Sequence, residues 1–249
     1  MFSFKAFDEE QVKRLPSVKY EPIGADGDQY PPLYDRLLPL LSNSVDVRKE
    51  PILGDLGVVL RGSLTAAECK SIIELSEKTG YQDATDFCHK YVNRWNDRFM
   101  TDDPELATFL WKRIERYIPA KVSFRGYKWE VDDLNTRFRF CRYRGEERHY
   151  FGPHCDGNLQ VDETRMSVLT CMWYLNDASE FEGGLTNFID FYDPKKIVYS
   201  LKPEAGLCVA FIQEDIRTYH EGTMVTKGKK YVMRTEVIYH MVGKETESD

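Results

Sequence analysis

No run of about 18 apolar residues occurs in this 249-residue chain, so no membrane-spanning helix is expected. Its six cysteines, at positions 69, 88, 141, 155, 171 and 208, form no CxxC pair and no short repeated spacing. That spread argues against a zinc ribbon and a small disulfide scaffold, and for reduced thiols, most of them buried. Positive charge is also short: 34 Lys and Arg face 41 Asp and Glu, for a net charge of −7. Non-specific attachment to nucleic acid or to anionic membranes is therefore disfavoured. Residues 1–14 carry acids and lysines where a signal peptide needs an apolar stretch, and the terminal Lys-Glu-Thr-Glu-Ser-Asp is no retention signal. The expectation is a cytoplasmic protein, with no membrane and no partner protein indicated.

What is present suits a folded enzyme. Hydrophobic residues make up 42% and charged ones 30%, unlike a disordered chain, and this length fits one catalytic domain. Residues 1–54 mix Pro16, Pro22, Pro31, Pro32, Pro39 and Pro51 with short apolar runs and read as an extension packed on the core. The catalytic domain is placed at 55–242, its barrel core at about 135–242, and a frayed tail at 243–249. Ser63 or Thr65 can cap a helix over Ala66–Thr79 that ends at Gly80, with Cys69, Ile72, Ile73 and Leu75 on its apolar face. A second helix is expected over 105–117, entered through Asp103-Pro104 and followed by Pro119. After a short strand at 58–60, the clear strands are 137–143, 166–175, 207–212 and 230–240, separated by glycine and Asn-Asp turns. The fold class is α+β: a double-stranded β-helix, the jelly-roll or cupin-like barrel, braced by N-terminal helices.

Histidine is scarce, which makes its placement informative. Five histidines and 41 acids give about 0.8 His-x-acid pairs by chance, so His154-Cys155-Asp156 is weak by itself. On an extended segment over 149–156, however, positions i and i+2 project to one side, so His154 and Asp156 can share a metal while Cys155 faces away. His220 follows the buried run at 207–212 and can supply a third ligand from a neighbouring strand. Two imidazoles and one carboxylate leave other coordination positions open, which suits a non-haem Fe(II) oxygenase. His89, His149 and His240 have no acid two residues on and read as surface or packing histidines.

Several motifs agree in order and spacing. Tyr150-Phe151-Gly152-Pro153-His154-Cys155-Asp156, Thr170-Cys171-Met172-Trp173-Tyr174-Leu175-Asn176, Phe181-Glu182-Gly183-Gly184-Leu185-Thr186-Asn187-Phe188, His220-Glu221-Gly222 and Gly228-Lys229-Lys230-Tyr231 resemble the prolyl 4-hydroxylase type of 2-oxoglutarate and Fe(II)-dependent dioxygenase. The resemblance covers about 135–242, and the helix start Leu64-Thr65-Ala66-Ala67-Glu68-Cys69 is similar to the entry of that family's domain. It implies His154, Asp156 and His220 as the Fe(II) ligands and 2-oxoglutarate as co-substrate. Dioxygen is the oxidant and ascorbate a candidate accessory reductant, with release of succinate and carbon dioxide. Lys230 matches the family's cation for the 5-carboxylate, ten residues after His220. Arg234 shares its strand face and could bind that carboxylate bidentately; the cation not so used is expected to pair with Glu236. Tyr143 and Tyr174 match positions where related enzymes set hydroxyls against 2-oxoglutarate, core packing being the competing reading.

An intact Asp156 implies hydroxylation, or demethylation through an unstable hydroxymethyl product, because related halogenases replace that carboxylate with a small residue. The favoured substrate is a peptide or protein, at proline. A small molecule such as a free amino acid is the alternative, and a catalytically silent binding module is the third reading. Arg137, Arg139, Arg142, Arg144 and Arg148 could meet an acidic substrate or a nucleic-acid backbone but read as a solvated charged edge. Trp95, Asn96 and Arg98 read as a substrate lid or a surface loop.

Overall fold

The computed structural model describes residues 30–42, 44–83 and 94–244; His89, Cys88, residues 1–29 of the extension and residues 245–249 of the tail lie outside them. The described residues hold helices α1 (Tyr34–Leu37), α2 (Ala66–Thr79) and α3 (Pro104–Ile114). The strands are β1 (Arg48–Ile52), β2 (Gly57–Arg61), β3 (Gln82–Asp83), β4 (Arg94–Trp95), β5 (Asp97–Asp102), β6 (Lys121–Phe124), β7 (Tyr127–Leu134) and β8 (Arg137–Arg144). They continue as β9 (Tyr150–His154), β10 (Arg165–Tyr174), β11 (Phe181–Gly183), β12 (Thr186–Ile189), β13 (Ile197–Leu201), β14 (Cys208–Ile212), β15 (His220–Gly222) and β16 (Val225–Lys244).

Eleven strands form the larger sheet along β1-β2-β14-β10-β16-β8-β5-β3, with β11 and β7 joined at β16 and β6 at β7. Five form the smaller one, β13-β12-β15-β9-β4. Phe188 of β12 meets Phe211 of β14 edge-on at 5.2 Å, and Leu201 belongs to the same buried cluster as Tyr174, Val209 and Val232, so the two sheets close on each other. The expected double-stranded β-helix is thus formed.

Period-two alternation decides what enters the space between the sheets. On β14, Val209 and Phe211 face inward while Cys208, Ala210 and Ile212 join the outer cluster beneath the helices. On β8, Cys141 and Tyr143 face inward, and Phe138 and Phe140 outward. Along β16 the inward residue Val232 lies between Lys230 and Arg234 in the same alternation, so two cations enter an otherwise apolar interior. No helix among the described residues is long and apolar enough to cross a membrane.

The outer face is covered by α2 and α3, both with the expected caps. Thr65 accepts from Glu68 N at 3.2 Å, and the Glu68 carboxylate returns the contact to Thr65 N at 2.7 Å, a capping box. Glu68 is fully buried and forms an ion pair with Arg113 of α3 at 2.8 Å. Its carboxylate also accepts from Ser42 N at 2.6 Å, tying the N-terminal segment to both helices. Asp103 caps α3 through Leu106 N and holds Leu33 N and Tyr34 N with its other oxygen. Thr65→Ala is expected to cost about 1 kcal/mol, seen in a thermal melt as a fall of about 2–4 °C.

Several elements differ from expectation. The second helix is α-helical only to Ile114 and closes in a 3-10 turn at Glu115–Tyr117. Arg94–Trp95 and Asp97–Asp102 are strands, and Asn96 is fully buried, so this segment is not a free surface loop. The arginine strand β8 is no edge: it lies between β16 and β5. Arg142 and Arg144 share the buried Asp97, Arg137 grips Asp102 with two hydrogen bonds, and Arg139 meets Glu236. His240 pairs with Asp132, and His149 is buried.

Candidate active site

The pairing of β9 with β15 sets His154 directly opposite His220. Their ring centroids are 4.3 Å apart, and Asp156, two residues beyond His154, reaches the same point: the three ligand atoms all lie within 4.8 Å of one another. His154 Nε2 is 3.4 Å from Asp156 Oδ1, and His220 Nε2 is 4.0 Å from Oδ2. Cys155 turns aside toward the Asp215 carbonyl.

Backbone carbonyls select the tautomers. His154 Nδ1 donates to Gly152 O at 2.8 Å and His220 Nδ1 to Thr218 O at 2.9 Å; a carbonyl only accepts, so the tautomer each carbonyl selects is the one that can offer its Nε2 lone pair. His154 Nε2 is buried and has no hydrogen-bond partner among the described residues. Burial, with His154 alongside, pushes the His220 imidazolium down to about 3, so its ring is neutral at pH 7. Burial alone would raise the Asp156 carboxyl, but Arg234 and the two histidines outweigh it and hold it well below the usual carboxylate range. Two bare imidazole nitrogens and one carboxylate, with Phe151 stacked 3.6 Å over His154 and Phe188 and Phe211 around His220, fit a divalent transition metal.

The two inward cations of β16 do different things. Arg234 Nη2 is 3.0 Å from Asp156 Oδ1 and 3.9 Å from Glu236, which Arg139 meets at 2.5 Å, so charges alternate along the sheet wall. Lys230 is 3% exposed, donates at 2.6 Å to the Gly184 carbonyl and has no carboxylate partner among the described residues. Burial lowers its ammonium to about 7. Its Nζ lies 5.2 Å from the Tyr174 ring and 5.5 Å from the Tyr143 ring. Gly184 is required beside it: at φ +65° a Cβ would come within 2.8 Å of the Phe181 ring and 3.2 Å of the Lys230 side chain. Lys230 and Arg234 stand roughly 13 Å apart along the strand.

The tyrosines differ as well. The Tyr174 hydroxyl donates to Thr186 Oγ1 at 2.6 Å, whereas the Tyr143 hydroxyl, on a residue 8% exposed, makes no hydrogen bond among the described residues. Two residues at the site had no role in the sequence reading: Thr186, within the Gly-Gly-Leu-Thr motif, and Thr170, whose hydroxyl donates to Asp156 Oδ2 at 2.6 Å. Their only signal was membership of motifs already noted. Arg94 also borders the site, its guanidinium 4.5 Å over the Phe151 ring.

The description 2OG-Fe(II) oxygenase superfamily matches residues 138–235, a span that holds Tyr143, His154, Asp156, Tyr174, His220, Lys230 and Arg234. No curated protein matches the chain. Among solved structures, the chain is similar to the viral collagen prolyl hydroxylase of Paramecium Bursaria Chlorella virus-1 in its 2OG complex, at 18% identity and TM-score 0.48, covering 74% of this chain and 96% of that one. It is similar also to a Pseudomonas putida prolyl-4-hydroxylase, at 14% identity and TM-score 0.46, covering 86% and 99%. A third is a Burkholderia pseudomallei oxidoreductase of the 2OG-Fe(II) oxygenase family, at 14% identity and TM-score 0.45, covering 77% and 88%. The matched span and the converging His-Asp-His donors lead to one conclusion: residues 138–235 hold a 2OG-Fe(II) oxygenase domain, an enzyme domain whose cofactors are Fe(II) and 2-oxoglutarate.

Proposed function

We propose that the enzyme hydroxylates a peptide substrate, at proline, with His154, Asp156 and His220 holding Fe(II) and Lys230 binding the 5-carboxylate of 2-oxoglutarate. The observation that carries this reading is the pairing of a buried Nε2 beside Asp156 with a buried lysine, both inside one barrel and, among the described residues, the first without a hydrogen-bond partner and the second without an anion. A buried cation without a counter-charge is costly, and a dicarboxylic ligand supplies that charge. Tyr143 offers its free hydroxyl to the same carboxylate, while Tyr174 and Thr186 form the wall of the pocket. Arg234 is already engaged with Asp156 and acts there.

Bound Fe(II) supplies the redox chemistry, coupling the oxidation of 2-oxoglutarate by dioxygen to succinate and carbon dioxide with insertion of oxygen into a substrate C–H bond; ascorbate would keep the iron reduced. The chain's own part is placement. Phe151, Phe188 and Phe211 exclude water from the imidazoles, the backbone carbonyls fix their tautomers, and Lys230 sets which end of the co-substrate points away from Asp156. Peptidyl proline as target rests on the likeness of the His154, Trp173-Tyr174 and Gly183-Gly184 motifs to the prolyl 4-hydroxylase type. We place the enzyme in the cytoplasm, and 55–242 as its catalytic unit with 1–54 as an extension.

The test is succinate formation from 2-oxoglutarate with Fe(II), ascorbate and oxygen, using proline peptides and free amino acids in turn. Stimulation by a proline peptide above the Asp156→Ala background is the expected result. Stimulation by a free amino acid alone would move the substrate to the metabolite class, and no succinate together with no binding of metal or 2-oxoglutarate would overturn the ligand assignment.

A further inference from the structure

We infer that Ser167, Gln213 and Thr170 form a one-way hydrogen-bond relay that sets the rotation of the Asp156 carboxylate, making Thr170 and Gln213 positioning residues of the metal site. This rests on the reading of His154, Asp156 and His220 as metal ligands. The relay's direction is forced from its far end. Leu159 N donates to Ser167 Oγ at 2.7 Å, and an N–H cannot accept, so the Ser167 proton must pass onward, to Gln213 Oε1 at 2.7 Å. Asn158 Nδ2 donates to the same Oε1 at 3.2 Å, and two donors on one atom fix which end of the Gln213 amide is oxygen.

Gln213 Nε2 therefore points at Thr170 Oγ1, at 3.2 Å, and the Thr170 proton is left with one destination, Asp156 Oδ2 at 2.6 Å. Ser167, Gln213 and Thr170 are each fully buried, so bulk water cannot substitute for any of these donors. On the opposite oxygen, Arg234 Nη2 holds Oδ1 at 3.0 Å. With one donor on each oxygen, from β10 and β16, the carboxylate cannot swing, and the edge it turns to His154 Nε2 and His220 Nε2 is fixed. Alternation explains why these residues meet: Thr170 on β10 shares the inward parity of Tyr174, and Gln213, one past β14, that of Phe211 and Val209.

Partners behind a metal ligand that orient it are worth about 10- to 100-fold in metal affinity. If the relay were only a polar piece of the core, its loss would lower stability and leave the metal site unaltered. The distinguishing experiment titrates the metal-free protein with Co(II), reading affinity and the d–d absorption bands together with the melting temperature. Wild type and Thr170→Ser, which keeps the hydroxyl, are expected to bind with the same spectrum. Thr170→Val should bind about 10- to 100-fold more weakly with altered bands. Gln213→Leu should show a smaller loss, since its Thr170 hydroxyl remains but is no longer directed. Wild-type affinity and bands in Thr170→Val and Gln213→Leu, with any change confined to the melt, would overturn the relay alone. Equal Co(II) binding by wild type and Asp156→Ala, or none by wild type, would bring down the metal reading and the relay with it.

Discussion

Replacing Asp156 by alanine is expected to abolish Fe(II)-dependent succinate formation while leaving the two sheets folded. Asp156 is the single anionic donor of the three, and without it two imidazoles remain next to the Arg234 guanidinium, a cation 3.0 Å from where the carboxylate had been. Charge and donor count both then disfavour a divalent metal. Folding should survive, because Arg234 keeps Glu236 at 3.9 Å and the apolar cluster between the sheets is untouched. The pH dependence gives an independent check. The native Asp156 carboxyl is held below the usual range, so its contribution to stability is present above the ordinary aspartate value and is lost as pH falls through the native one. The stability difference between wild type and Asp156→Ala in urea titrations should therefore shrink as the solution is acidified below about pH 4. Fe(II) retained by the purified variant at wild-type affinity, measured by competition with a chelator, would remove Asp156 from the ligand set.

The barrel's central strands were legible because they bury both faces. The runs at 166–175 and 207–212 are nearly continuous apolar sequence, and β10 and β14 lie where expected. The helix α2 lies where expected, over Ala66–Thr79 and ended by Gly80; of the two caps left open, Ser63 and Thr65, the cap is Thr65, completed by Glu68. The strands β4 and β5 were not legible for a physical reason. Trp95, Asn96 and Arg98 lie in a polar segment that read as a lid or a surface loop, yet Asp97 is buried under Arg142 and Arg144, whose pairing is visible only once β8 lies alongside. The early strand β1 was hidden by Pro51, which an edge strand tolerates. At the site, the His-x-Asp spacing and His220 were legible. The division of labour between Lys230 and Arg234 was not, because strand parity puts both on one face and is silent on which lies beside Asp156. Thr170 showed only as a member of a motif and Gln213 not at all, since neutral hydroxyls and amides carry no spacing rule of their own.

Lys230→Ala is expected to weaken 2-oxoglutarate binding by about 2–5 kcal/mol, the range for removing one partner of a buried charge pair. Wild type should also bind with a pH dependence that the variant lacks. Burial lowers the free enzyme's Lys230 to about 7, and a carboxylate beside it would raise that value in the complex. Below pH 7 the ammonium is already present and affinity is at its plateau. As pH rises above 7, each bound 2-oxoglutarate must bring a proton with it, so apparent affinity should fall about tenfold per unit until the raised value of the complex is reached. Calorimetry at pH 8 in two buffers of different ionisation enthalpy should register that proton uptake directly. Lys230→Arg, permanently charged, should lose the slope even if it retains some affinity. Arg234→Ala should mainly weaken metal binding, because its contact is with Asp156. A flat wild-type profile between pH 7 and 9, or a loss of 2-oxoglutarate affinity seen in Arg234→Ala but not in Lys230→Ala, would transfer the 5-carboxylate to Arg234. The buried Lys230 would then be left, among the described residues, with the Gly184 carbonyl as its hydrogen-bond partner.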